Sequence, residues 1–190
     1  NTSALDLNDL ANYANQPVPS YITKNNTPTT NPLTDAGATL GRVLFYDKKL
    51  SVNNTIACAS CHQQQHAFSD PAQVSIGVNG KTGRHSMRLI NARFAAEQRF
   101  FWDERAASLE AQTTMPIQDH AEMGFSGTNG DPALDSLLSK MADLPYYQIL
   151  FDLVYGDPEI AEERMQLAMA QFIRSIQSFD SRFDAGLVQA

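Results

Sequence analysis

Residues 58–62 read Cys58-Ala59-Ser60-Cys61-His62, and they hold the only two cysteines of a 190-residue chain. Two thiols three positions apart with a histidine directly behind suit three chemistries: a redox dithiol, a zinc site, or covalent attachment of haem. A redox dithiol of the thioredoxin kind needs a buried strand running into a helix. The residues before Cys58, "SVNNTIA", are polar and rich in asparagine, and no βαβ pattern surrounds them. A structural zinc site needs four ligands, commonly a second Cys/His pair. No third cysteine exists, and His66, His85 and His120 are scattered singly. Haem attachment uses every residue of the motif. Each thiol adds to one vinyl group of the macrocycle, and His62 is carried beneath the ring to ligate the iron.

The bulk properties agree with a haem domain of mostly α class. Hydrophobic residues make up 43% of the chain, enough for one core. A net charge of −7 argues against nucleic acid as a partner, because phosphate binding needs clustered Lys and Arg. No apolar run approaches the roughly 18 residues that span a bilayer. The chain opens "NTSALDLNDL", without an initiator Met or a basic-then-apolar leader, and reads as processed or trimmed. Covalent haem is attached on the far side of the cytoplasmic membrane, so a periplasmic or otherwise exported protein is expected.

Outward from the motif, periodicity divides the chain. Asn15 to Thr34 is rich in Pro, Asn and Thr and predicts an extended arm over residues 1–34. Asp35 is placed to cap a helix with Leu40, Val43 and Leu44 on one face. Lys48 to Thr82 predicts short turns and loops, and "RLINARF" and "RAASLEAQTTM" predict short helices around the aromatic turn "RFFWDE". Asp131-Pro132 and Asp157-Pro158 read as helix starts. "LPYYQILFDLVYG" predicts a helix closed by Gly156. In the last and longest predicted helix, Met165, Ala168, Met169, Phe172, Ile176 and Phe179 recur at helical steps. Met165 and Met169 on that apolar face read as core packing rather than as iron ligands. No β alternation is evident.

Four stretches in order, "LGRVLFYDKKLSVNNTIACASCHQQQHAFSD", "VSIGVNGKTGR", "NARF…RFFWDERAASLEAQ" and "PIQDHAEMG", resemble the N-terminal, peroxidatic haem domain of the bacterial di-haem cytochrome c peroxidase and MauG family. The resemblance runs from about Gly37 to Gly124 and more loosely beyond. It implies a c-type cytochrome-like domain over residues 35–180, with 181–190 beginning a linker to a second haem domain outside this chain. It implies haem c on Cys58 and Cys61 with His62 as proximal iron ligand. It also implies a catalytic set of Glu122 in "HAEMG" as the distal acid, Gln112 in "LEAQ" beside it, and Trp102 in "FFWDE" as the electron relay between haems. The implied activity is reduction of hydrogen peroxide to water with electrons from a small cytochrome c or cupredoxin. The alternatives are a MauG-like oxidase acting through high-valent iron and a mono-haem electron carrier.

Two departures carry expectations of their own. Peroxidase-branch members place a histidine after "SIG" that closes the iron. Here the loop reads Val78-Asn79-Gly80, so an open, high-spin iron is expected. His85 stands where the family commonly has an asparagine that helps bind calcium, and imidazole suits a hard cation poorly, which argues against calcium at that position.

Overall fold

The computed structural model describes residues 5–188; residues 1–4 of the expected arm and 189–190 of the expected linker lie outside the described residues. The described chain is mostly helical: α1 (Asp35–Tyr46), α2 (Cys58–Cys61), α3 (Leu109–Thr114), α4 (Leu134–Ala142), α5 (Pro145–Tyr155), α6 (Glu162–Ser175) and α7 (Arg182–Val188). The one sheet among the described residues is a two-residue antiparallel pair, β1 (Ile76–Gly77) with β2 (Gly80–Lys81). Residues 5–34 carry neither helix nor strand.

The helical pairing at the centre is α1 against α6, and small residues set how closely they approach. A Cβ on Gly41 would stand 2.0 Å from the Ala168 carbonyl oxygen, a backbone atom that cannot swing aside. Gly41→Ala is therefore expected to force the helices apart and cost about 1–3 kcal/mol, the usual range for overpacking, read as a lowered urea midpoint with an unchanged slope. Around this pair Leu40, Leu44, Leu137, Tyr147, Phe151 and Met165 form the main buried cluster. A second cluster of Phe45, Phe68, Phe172 and Ile176 packs against Cys58 and Leu89.

Several expected helix starts move. Thr34, not Asp35, caps α1: its Oγ accepts from the Gly37 N–H at 3.0 Å. The Asp35 carboxylate instead accepts from the N–H groups of Tyr13 (2.6 Å) and Ala14 (2.8 Å), pinning the N-terminal segment. Asp131 does not cap α4, which begins at Leu134. Its carboxylate accepts from Ser126 Oγ at 2.7 Å and pairs with His120 Nδ1 at 2.8 Å. Asp157 does not open α6, which starts at Glu162; it takes a two-pronged bond from Arg164 at 2.5 and 2.8 Å. For Asp35 and Asp131 a more distant partner outcompetes the local N–H groups for the carboxylate, whereas Asp157 also accepts from the local Glu159 N–H at 3.0 Å.

Gly156 closes α5 in the left-handed conformation (φ +79°), as expected from "VYG". "RLINARF" shrinks to a single 3-10 turn, Ala92–Phe94. α6 ends at Ser175, so Phe179 lies beyond it and packs on Phe94 instead, ring centroids 5.3 Å apart. α6 is the longest of the described helices but not the last, because α7 follows it.

Candidate haem site

The loop before the cysteines is built by one buried serine. Ser51 Oγ accepts from the N–H groups of Thr55 (3.1 Å) and Ile56 (3.0 Å) while donating to the Lys48 carbonyl at 2.9 Å. The chain then turns into α2, where Ser60 Oγ accepts from the Ala57 N–H at 3.0 Å. That single helical turn presents Cys58 and Cys61 to a cleft of about 390 Å³, and His62 lines it too. The volume falls within the roughly 300–1,000 Å³ of ligand clefts. Both cysteines are free rather than disulfide-linked. Burial pushes the Cys58 thiol up to about 12, with the neighbouring Cys61 adding to it, and burial raises Cys61 as well. A raised thiol is the opposite of the lowered one that marks a reactive redox cysteine.

His62 is held in one tautomer. Its Nδ1 lies 3.0 Å from the Phe68 carbonyl, which can only accept, so the hydrogen sits on Nδ1 and Nε2 keeps its lone pair. Burial lowers the ring's proton affinity, and the carbonyls of Phe68 and Met87 only partly offset it. A neutral imidazole oriented through its other nitrogen is what a metal ligand requires. The carbonyl is aimed by an unusual backbone. Ala67 (φ 58°) and Phe68 (φ 56°) are consecutive left-handed residues without being glycine. Such strain costs on the order of 1–3 kcal/mol per residue and survives only where surroundings impose it.

The same cleft is lined by Gln112, carried on α3, and by Glu122, carried on a tight turn after it. Asp119 organises that turn, its Oδ1 accepting from the N–H groups of Ala121 (2.8 Å) and Glu122 (3.0 Å). The loop at β1 clamps it from outside: Val78 N–H donates to the Glu122 carbonyl at 3.0 Å, and a Cβ on Gly77 would sit 2.0 Å from the Ala121 carbonyl oxygen. Among the described residues no hydrogen bond engages the Glu122 carboxylate or the Gln112 amide, so both are free for a ligand. Burial raises the Glu122 carboxyl to about 7; the Asp119 charge adds to this and Arg105 partly offsets it. Val78 does not line the cleft, and its side chain faces Gly124 instead.

Trp102 borders the same cleft yet is 60% exposed. It stands on the turn closed by Phe100 and Ala106, where Arg105 lies over the Phe101 ring at 3.5 Å. Its indole Nε1 donates to the His85 carbonyl at 2.8 Å. Both ring nitrogens of His85 are engaged, Nδ1 by the Ala72 carbonyl at 3.0 Å and Nε2 by Ser69 Oγ at 3.1 Å. His66 is exposed and does not line the cleft.

The residues present fit haem. Two free thiols, an oriented neutral imidazole and apolar walls including Phe45, Leu109 and Ile173 meet in one cleft. Four arginines of an acidic chain, Arg84, Arg88, Arg99 and Arg105, line it as well, which suits a cofactor bearing two carboxylates. No group of three or more His, Cys, Asp or Glu able to hold a metal ion occurs among the described residues, so the zinc alternative finds no ligand set.

The family described as di-haem cytochrome c peroxidase matches residues 35–189, most of the chain. The chain belongs to the di-haem cytochrome c peroxidase family. It is 34% identical over 158 residues to the methylamine utilization protein MauG of Methylophilus methylotrophus, covering 83% of this chain and 44% of that protein. It is 30% identical over 182 residues to cytochrome c551 peroxidase of Pseudomonas aeruginosa, covering 94% and 49%. Among solved structures, a MauG-like protein associated with microbial copper homeostasis superposes with a TM-score of 0.75 at 33% identity, over 90% of this chain and 49% of that one. The chain thus spans about half the length of the curated relatives it matches. The mostly α, cytochrome c-like fold expected of the family is the fold observed.

The site expectations that came with the family converge on one cleft. Cys58, Cys61, His62, Gln112, Glu122 and Trp102 all line it, although they span 65 positions of sequence from 58 to 122. Sequence reasoning missed the parts that act through backbone: the Phe68 carbonyl on His62 and the His85 carbonyl on Trp102. A carbonyl is common to every residue, so no residue type marks it. Asp119 was legible in principle as an acid within "IQDHAEMG", but its task is to shape the turn.

Proposed function

We propose that this chain is the peroxidatic haem domain of a di-haem peroxidase that reduces hydrogen peroxide to water. The observation that carries the reading is what meets in one cleft: an oriented, neutral His62 beside two free thiols, and an unpaired Glu122 held near neutrality. Cys58 and Cys61 would form the thioether bonds, and His62 Nε2 would ligate the iron. Haem bound there supplies a redox-active iron at which peroxide is reduced.

The chain's own side chains handle position and protons. The Glu122 carboxylate accepts a proton from peroxide and returns it to the departing oxygen, while the Gln112 amide orients the bound molecule. Two electrons and two further protons complete two waters. Trp102, exposed beside the cleft, passes electrons from a second haem domain of the same protein, and a small cytochrome c or cupredoxin supplies them. Val78 is turned away from the cleft, so the loop after Gly77 would offer a bound haem no ligand of its own. With both His85 nitrogens engaged, no calcium is assigned to it. Covalent attachment of haem would make the mature protein periplasmic; no described helix is long and apolar enough to cross a membrane.

The test is the absorption spectrum of the ferric, haem-loaded chain before and after one equivalent of hydrogen peroxide. A high-spin spectrum that changes with peroxide supports the reading. A low-spin spectrum indifferent to peroxide would sink it and favour an electron carrier, for which Met87, Met123 and Met169 also line the cleft.

A further inference from the structure

A run of hydrogen bonds joins the surface tryptophan to the buried histidine, and His85 sits at its middle. Trp102 Nε1 donates to the His85 carbonyl at 2.8 Å. The His85 ring reaches the other way, with Nε2 3.1 Å from Ser69 Oγ and Nδ1 donating to the Ala72 carbonyl at 3.0 Å. Ser69 Oγ also lies 2.7 Å from the Ser86 carbonyl, and with the His85 hydrogen on Nδ1 both Nε2 and that carbonyl can only accept, so the single Ser69 hydroxyl proton serves one of the two at a time. One peptide before Ser69 is the Phe68 carbonyl that accepts from His62 Nδ1 at 3.0 Å.

The middle of this run is the part most in need of support. Ala67 and Phe68 both hold left-handed backbone, so local preference does not aim the Phe68 carbonyl. Two bonds come from the same loop: Phe68 N–H to the Gln63 carbonyl, and Gln63 N–H to the Ser69 carbonyl, each 2.9 Å. From outside it, Ser69 Oγ is met by His85 Nε2 at 3.1 Å and by the Ser86 carbonyl at 2.7 Å. An asparagine at position 85 is too short to span from Ala72 to Ser69 as the imidazole does.

We propose that His85 is a positioning residue that ties the exposed Trp102 indole to the loop whose Phe68 carbonyl orients His62, so that the iron's axial ligand and the surface tryptophan respond together. The proposal rests on the haem reading of Cys58, Cys61 and His62. Weakening the Nδ1–H···O=C bond makes the imidazole a poorer donor, which disfavours ferric iron and raises the midpoint potential. The coupling is reciprocal, so loosening Trp102 must be felt at the iron as well.

The experiment measures the midpoint potential of the haem-loaded chain by spectroelectrochemistry, alongside the emission of Trp102, its only tryptophan. His85→Ala is expected to raise the ferrous-to-ferric ratio at fixed poise roughly threefold, about 28 mV for a one-electron couple, and to change the emission. Trp102→Phe alone should move the potential in the same direction, and adding it to His85→Ala should move it little further. An unmoved potential in His85→Ala, or strictly additive effects of the two substitutions, overturns the proposal. Should His85→Ala fail to load haem, Ser69→Ala removes that contact, together with the one to the Ser86 carbonyl, with the imidazole intact and carries the comparison. A parent chain with no covalent haem in its alkaline pyridine spectrum would overturn the haem reading itself, a result distinct from a loaded chain with an unmoved potential.

Discussion

Replacing Glu122 with glutamine is expected to slow the reaction of the haem-loaded chain with hydrogen peroxide by about 10²–10⁴-fold, the usual contribution of a positioned acid–base group. The amide keeps the size of the side chain but cannot accept the peroxide proton. Stopped-flow absorbance at a fixed peroxide concentration reads the effect directly. Binding of a neutral ligand to the iron should change little, which separates proton transfer from access.

The pH dependence follows from the same residue. Glu122 must be ionised to act as a base, and burial holds its carboxyl at about 7 rather than the usual 4.5. The rate should therefore rise with pH through about 7 in the parent chain and lose that step in Glu122→Gln. Asp119→Asn removes the second cause of the raised value, the nearby negative charge, while retaining an oxygen for the turn's N–H groups. Its profile should shift to lower pH. A profile unchanged in both variants would remove Glu122 from the proton path.

The largest expected loss of stability is at Glu110. Arg174 is 3% exposed and reaches Glu110 at 2.5 Å, with a second bond at 3.2 Å. Asn31 Nδ2 donates to the same carboxylate at 2.9 Å, and Gln171 links Asn31 to Thr34. One buried network thus joins the N-terminal segment, α3 and α6. Glu110→Ala leaves the Arg174 guanidinium buried without its counter-charge, which typically costs about 3–5 kcal/mol. Glu110→Gln keeps the shape and should lose less. Urea unfolding of the haem-loaded chain checks both.

The sign with pH is fixed by the partner. Burial alone would raise the Glu110 carboxyl, but the bonds from Arg174 and Asn31 outweigh it and hold it below its ordinary 4.5. The stabilisation is therefore present above that value and is lost as pH falls through the lowered one. The gap in stability between parent and Glu110→Gln should close on acidification below 4.5. A gap that widened instead would mean the pair is not ionised in the fold.

Legibility in the sequence followed the range of the interaction. Gly156 after an apolar period stopped α5 where expected, because a left-handed helix end is settled within a few residues and glycine alone takes it without cost. The cysteine pair and His62 stand out in the sequence for the same reason, since the haem attachment proposed for them depends on spacing within one turn. Asp35, Asp131 and Asp157 misled as helix caps, because a carboxylate serves whichever donor tertiary packing brings nearest. For these three the donors were the backbone N–H groups of Tyr13 and Ala14, the pair His120 and Ser126, and Arg164 together with the Glu159 N–H.

What the sequence by itself determined was the class, a mostly helical chain carrying a motif of the haem-attachment kind; the acid, the amide and the tryptophan came only with the family resemblance. Only the tertiary structure decided that these residues share one cleft, that Glu122 is buried enough to sit near neutrality, and that His62 is oriented by the Phe68 carbonyl. The reason is physical. Residue identity and short spacing set what a group can do, whereas burial, tautomer and charge environment belong to the atoms that distant segments bring around it.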